Sequence, residues 1–152
     1  MRSRCLAVAL AVAGLLCVST AAEARAVPWG GTGANDLGPA SLLLSANDGR
    51  VSVSSLQVVM ACTDTSDGTE SSRAFSVSSN IRVALRRNRF SFDFTATSGG
   101  RVGRVRLSGT LGSNGRGTAR ATVDATGTDE GTGGIIERCQ SAVNFRLRRG
   151  RA

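Results

Sequence analysis

Apolar and polar residues alternate through most of the chain from Ile81 to Leu147, at the two-residue period of strands with one buried face. Turn signals at Arg87-Asn88, Gly99-Gly100 and Asn114-Gly115 interrupt the alternation, so this stretch reads as five consecutive antiparallel strands. Counting outward from Arg87-Asn88 sets Leu85 against Phe90, Val83 against Phe92 and Ile81 against Phe94 on one face, with Arg82 against Asp93 on the other. Counting from Gly99-Gly100 sets Phe94 against Val105, Phe92 against Leu107 and Asp93 against Arg106. A three-residue loop, Asn114-Gly115-Arg116, pairs Leu111 with Ala119, Leu107 with Val123 and Arg106 with Asp124, whereas a two-residue loop would oppose leucines to threonines. In the last strand Cys139, Ser141, Val143, Phe145 and Leu147 share the inner face, and one allowed register sets Arg138 beside Asp124. The outer face is therefore expected to carry a row of alternating sign, Arg82, Asp93, Arg106, Asp124 and Arg138. Each neighbouring pair in it would stabilise the sheet by roughly 0.2–1 kcal/mol.

Upstream, Ser41 to Ala46 and Val51 to Thr63 form a hairpin about Asn47-Asp48-Gly49. The inward parity changes between Val53 and Leu56, which a bulge near Ser54-Ser55 would reconcile. A polar loop from Asp64 to Glu70 leads to a short strand, Ala74 to Ser79, with Phe75 and Val77 inward. The expected fold is all-β: one domain of about eight antiparallel strands in meander order, closing as a small up-and-down barrel or folding as a barrel-like sandwich. Inward glycines and alanines beside four phenylalanines favour a packed interior over a roomy ligand cavity. The segment 27–40 is glycine-rich, holds both prolines and the single tryptophan, Trp29, and reads as a flexible leader. Trp29 either covers a sheet edge or is a weak binding candidate.

Residues 1–26 have a basic start, an apolar run from Cys5 to Val18 and a small-residue ending, the layout of a secretory signal peptide cleaved before Val27. The apolar run is shorter than the roughly 20 residues a membrane span needs. The barrel or sandwich domain then covers 41–149, with 150–152 as a tail, and the product is expected to be secreted, periplasmic or associated with the cell wall. Cleavage lowers the 19 basic residues to 16 and the 11 acidic ones to 10, a net charge of about +6. It also leaves two cysteines, Cys62 and Cys139, both on the inward parity of their strands, which in an oxidising compartment reads as a disulfide.

The chain has no histidine, lysine or tyrosine to activate a serine, so nucleophilic catalysis is poorly supplied and no catalytic residue is assigned. Asp93 and Asp124 share a face, but Arg106 between them would keep both ionised, whereas a glycosidase acid must hold its proton. Asp64, Asp67 and Glu70 are a weak calcium candidate whose spacing departs from the helix-flanked calcium loop. No cofactor is expected. Glu137 has inward parity and is read as lying at a strand end, displaced by a bulge, or buried with an arginine partner. The arginines point furthest. Arg86, Arg87, Arg89, Arg104, Arg120, Arg146, Arg148 and Arg149 lie on the outer parity, in turns or in the tail, where they either attract the phosphates or sulfates of an anionic polymer or form a merely basic, solvated surface, the absence of lysine pointing to a compositional bias toward arginine.

A signal peptide followed by a Gly/Ser/Thr-rich β meander, a late cysteine and an arginine-rich end resembles uncharacterised secreted proteins of high-GC bacteria, a resemblance that implies no activity. More locally, Asn35-Asp36-Leu37-Gly38, a strand, and Asn47-Asp48-Gly49 resemble the opening of avidin-type biotin-binding barrels, where the residue matching Asn35 contacts ligand. The serine expected after the glycine is Pro39 here, and the later tryptophans and tyrosine that line such a site are missing. The expected function is that of a secreted, non-enzymatic β module with a structural or binding role. Its partner would be an anionic cell-surface polymer or another secreted protein. The alternatives are a carboxylate-dependent glycan hydrolase and a protein-inhibitor or ligand-binding barrel.

Overall fold

The computed structural model describes residues 25–129 and 131–151; the expected signal peptide lies outside them apart from Arg25 and Ala26. Nine strands run in order: β1 Val27–Asn35, β2 Gly38–Asn47, β3 Arg50–Asp64, β4 Glu70–Val77, β5 Arg82–Ala84, β6 Arg89–Ser98, β7 Arg101–Leu111, β8 Arg116–Thr128 and β9 Ile135–Arg149. They form one antiparallel sheet in the order β4-β3-β2-β1-β9-β8-β7-β6, and β5 also pairs with β3. β4 and β5 share one edge of β3, with the Ser79 N–H donating to the Val53 carbonyl between them, so together they act as one interrupted strand.

The sheet tapers. β9 pairs with β1 through Arg146–Arg149, but past the tip of the β1–β2 hairpin it pairs directly with β3, Ala61–Asp64 lying against Glu137–Gln140. The hairpin is thus a wedge between β3 and β9. A circuit at one end crosses eight strands, and at the other it crosses six, β4, β3, β9, β8, β7 and β6. Since diameter grows with strand number, the first end is wide and the second narrow. Backbone hydrogen bonds close the wide end. Leu85 N–H donates to Gly49, Leu111 N–H to Asn88, Arg149 N–H to Gly115 and Gly150 N–H to Pro28. Toward the narrow end β4 and β6 part, and the Ser76 N–H reaches only the Ser98 hydroxyl, at 3.0 Å.

Side chains fill what backbone pairing leaves open. Phe90, Phe92 and Phe94 stack edge to face along β6, with centroids 5.9 and 6.4 Å apart. Phe75 of β4 crosses the interior to lie against Gly103 of β7, where a Cβ would meet its ring at 3.0 Å. Leu42, Leu44, Val51, Val53, Leu56, Met60, Val105, Leu107, Val123 and Leu147 complete the core. The disulfide Cys62–Cys139 joins β3 to β9 just beyond the wedge.

The β6–β7 register is the one counted from Gly99-Gly100, with Phe94 on Val105, Phe92 on Leu107 and Asp93 on Arg106. A parity change in β3 also occurs as expected, the pairing with β2 skipping Ser54. Three expectations need correction. The β7–β8 loop is Ser113-Asn114-Gly115, because Gly112 stays in position to accept the Gly115 N–H, so Leu111 meets Gly117 and Leu107 meets Ala121. That two-residue shift preserves every face. Arg87 and Asn88 do make the turn, at φ 49° and 64°, but pairing stops at Arg86 and Arg89. β5 keeps to β3, putting Val83 on Val51 and Arg82 on Ser52 and leaving Ile81 exposed. Finally, the flexible leader is largely strand: β1 pairs with both β2 and β9, and β2 begins at Gly38, so the meander of about eight expected strands has nine among the described residues. Its glycines are packing devices, since a Cβ on Gly31 or Gly33 would overlap the carbonyl of Arg146 or Asn144 on β9.

Candidate anion-binding surface

The expected charge row is shorter than counted and gains a member. Asp93 is held by Arg104 through two hydrogen bonds of 2.8 and 2.6 Å, and Arg106 lies 3.9 Å from Asp93 and 3.5 Å from Asp124. The Arg104 hydrogen bond holds the Asp93 carboxyl below its ordinary value; desolvation opposes it, and the charges of Arg104 and Arg106 add to the lowering. Arg82 and Arg138 fall outside, because β5 follows β3 and because Asp124 opposes Gln140, leaving Arg138 opposite Thr126. These exposed pairs are a lattice of charge along the flank, with Arg104 occupied in it.

At the narrow end Glu137, Arg101 and Arg73 are joined as structure, while Arg138 stays exposed and outside the ion pairs of the described residues. Glu137 is buried beside the disulfide, accepts from Arg101 Nε at 2.6 Å and from Arg73 Nε at 3.3 Å, and is touched by the Ser71 hydroxyl. Of the three readings of Glu137, burial with arginine partners near the start of β9 is the arrangement found. Burial pushes its carboxyl up, but Arg101 first and Arg73 second outweigh that and hold it below its ordinary value. In the Asp64 to Glu70 loop two carboxylates brace turns, Asp64 accepting from the Ser66 backbone and hydroxyl and Asp67 from the Thr69 N–H, while Glu70 begins β4 opposite Thr63. Among the described residues the one cluster with metal-ligand proximity is Cys62, Glu137 and Cys139, whose two sulfurs are already bonded to each other. Asn35 sits at the wedge tip, donating to the Val59 carbonyl at 2.8 Å and to the Ser141 hydroxyl at 3.1 Å. Its role there is to tie the hairpin between β3 and β9.

The wide end gathers the arginines. The β5–β6 turn brings Arg86, Arg87 and Arg89, the β7–β8 turn Arg116, and the end of β9 Arg148, Arg149 and Arg151. The β2–β3 turn adds Arg50, which the sequence reading overlooked although it follows the Asp48-Gly49 turn signal. Asp48 is the single acid on these turns. Arg120 and Arg146 continue the basic surface along the flank, where Arg120 faces Asn144 and Arg146 lies between Thr118 and Thr32. Among the described residues every ion pair involves Arg73, Arg101, Arg104 or Arg106, so none of these other arginines is neutralised by one. Asp36, Asp64, Asp67, Glu70, Asp129 and Glu137 lie instead on the narrow half. No helix long and apolar enough to cross a membrane occurs among the described residues. The chain matches no protein-family model and no curated protein.

Proposed function

We propose that this protein is a secreted, non-enzymatic β module that holds an anionic polymer at the envelope or exterior of a bacterial cell through its wide, arginine-rich end. The observation that supports this reading is the segregation of charge along the barrel: Arg50, Arg86, Arg87, Arg89, Arg116, Arg148, Arg149 and Arg151 share the wide end with Asp48 as the one acid there among the described residues. Clustered like charge on a folded surface raises the local concentration of counter-ions and speeds encounter with a polyanion. The disulfide fits an oxidising compartment. Binding of this kind weakens steeply with salt.

Retention on immobilised heparin is the direct measurement. The protein is expected to bind at low ionic strength and elute at moderate salt. Converting Arg86, Arg87 and Arg89 together to glutamine should advance elution clearly, whereas Arg138→Gln near the narrow end should leave it close to the parent. No retention at low salt, or equal effects of the two changes, would remove this reading.

A further inference from the structure

The wide end is also a mouth. An open depression of ≈ 240 Å³ lies inside the closed backbone circuit, with Val27, Trp29, Ala46, Leu85 and Leu111 as its apolar lining and Arg50 and Arg149 among its polar residues. Trp29 and Leu111 belong to the buried core, so the depression opens directly onto the packed interior. It exists because eight strands surround this end and because the inward row of β9, apolar from Val143 to Leu147, finishes on Arg149 opposite Trp29 instead of on an apolar plug. The frame is preformed: Asp48 and Gly49 turn with positive φ on one side, Arg87 and Asn88 on another, each tied to the next segment by a backbone hydrogen bond.

We propose that this mouth binds one small anionic amphiphile, a single alkyl chain or ring carrying a carboxylate or sulfate. Its apolar body would lie against Trp29, Leu85 and Leu111, and its head beside Arg50 and Arg149. Size and charge both select that class. The volume lies below the roughly 300–1,000 Å³ typical of sites for drug-sized ligands, and a polymer segment would not enter it. Neither Arg50 nor Arg149 has an ion-pair partner among the described residues, so an anionic head meets two available guanidiniums, with Asp48 as the one carboxylate in the lining. Both this reading and polymer binding draw on the charge of the wide end, but only this one needs the apolar floor.

Trp29 is the single tryptophan, so its emission reports on the mouth. Titrating the disulfide-bonded protein with sodium decanoate below its micellar range should give a saturable change in Trp29 emission intensity, with one-to-one stoichiometry by calorimetry. Decanol should bind at least about tenfold more weakly, and Arg149→Gln should lower decanoate affinity about tenfold, the loss of one charge-assisted contact. Sodium sulfate alone should leave the emission unchanged. A non-saturable response, several molecules bound per chain, equal affinity for decanol, or decanoate affinity unchanged in an Arg50→Gln, Arg149→Gln double variant would each overturn the proposal. Val27→Asp should abolish the decanoate response while heparin retention persists. Loss of heparin retention with an intact decanoate response would instead overturn only polymer binding.

Discussion

The inward row of β9 begins on an acid and ends on a base, and the barrel treats the two in opposite ways. Glu137 at the narrow end is buried, met by two arginines and set beside a covalent cross-link, so its charge is fully used in holding β3, β4, β7 and β9 together. Arg149 at the wide end shares the parity of Glu137 and lies opposite Trp29, yet it is exposed and has no ion-pair partner among the described residues. Six strands meet at the first place and eight at the second. A closed end needs its polar groups satisfied internally, while an open one can leave them facing solvent at little cost. The contrast teaches that arginine content by itself says little here. Arg101 and Arg104 are structural, and Arg149 is available.

If the two ends divide stability from binding in this way, substitutions should separate the two properties. The largest effect is expected from Cys62→Ala with Cys139→Ala. Opening a cross-link with a sequence separation of 77 should cost about 4.5 kcal/mol in the chain-entropy model, read from urea unfolding, with heparin retention of the folded fraction unchanged. Gly31→Ala should follow, at about 3 kcal/mol, because a Cβ there collides with the Arg146 carbonyl and the Leu147 side chain and forces β1 off β9. Glu137→Gln should cost about 2 kcal/mol, less than for a pair deep in an interior because Arg73 is half exposed. The parent carries a pH signature of this carboxylate. Its folded value is depressed, so its contribution is complete above the unfolded carboxylate value near pH ~4.3 and is lost as pH falls through the lower folded value. Thermal unfolding between pH 2 and 7 should therefore show a shallower acid slope in Glu137→Gln than in the parent. The smallest change is expected from Asp93→Asn. It should barely move the unfolding midpoint, since the pair is exposed, and should leave heparin retention close to the parent, since the Arg104 it releases lies on the narrow half of β7. If Glu137→Gln weakened heparin binding, or Arg149→Gln destabilised the fold as much as Glu137→Gln, the division between the ends would not hold.

The sequence made the faces of the sheet legible before it made the pairings legible. Alternation placed Phe92, Val105, Leu107, Val143 and Phe145 inside, and all are buried, because a period of two admits only even slips once one face is apolar. Such an even slip is what separates the expected from the observed β7–β8 register, decided by where Gly112 sits relative to the loop. The β5–β6 pairing misled because a valid turn guarantees only its own first bridge. The N–H of Leu85 had a second acceptor in Gly49, on a turn 36 residues earlier, and no local pattern announces that. β1 was missed for a different reason. Glycine spacing at 30, 31 and 33 reads as flexibility in isolation, and only the neighbouring backbone of β9 reveals it as close packing. The candidate site was half legible: residue type gave the arginines, but their gathering at one end depends on the taper, which comes from β3 meeting β9 beyond the hairpin.

One detail of the rim bears on how the protein should be handled. Pro28 and Gly150 are joined by a backbone hydrogen bond, so the polypeptide enters and leaves the barrel side by side at the same opening. A fusion partner or affinity tag placed at either extremity would hang over the mouth and its arginines, and would blunt the very assays proposed for them. The loop from Asp64 to Glu70, on the opposite pole, is the place for a label or an immobilisation handle that leaves the opening clear.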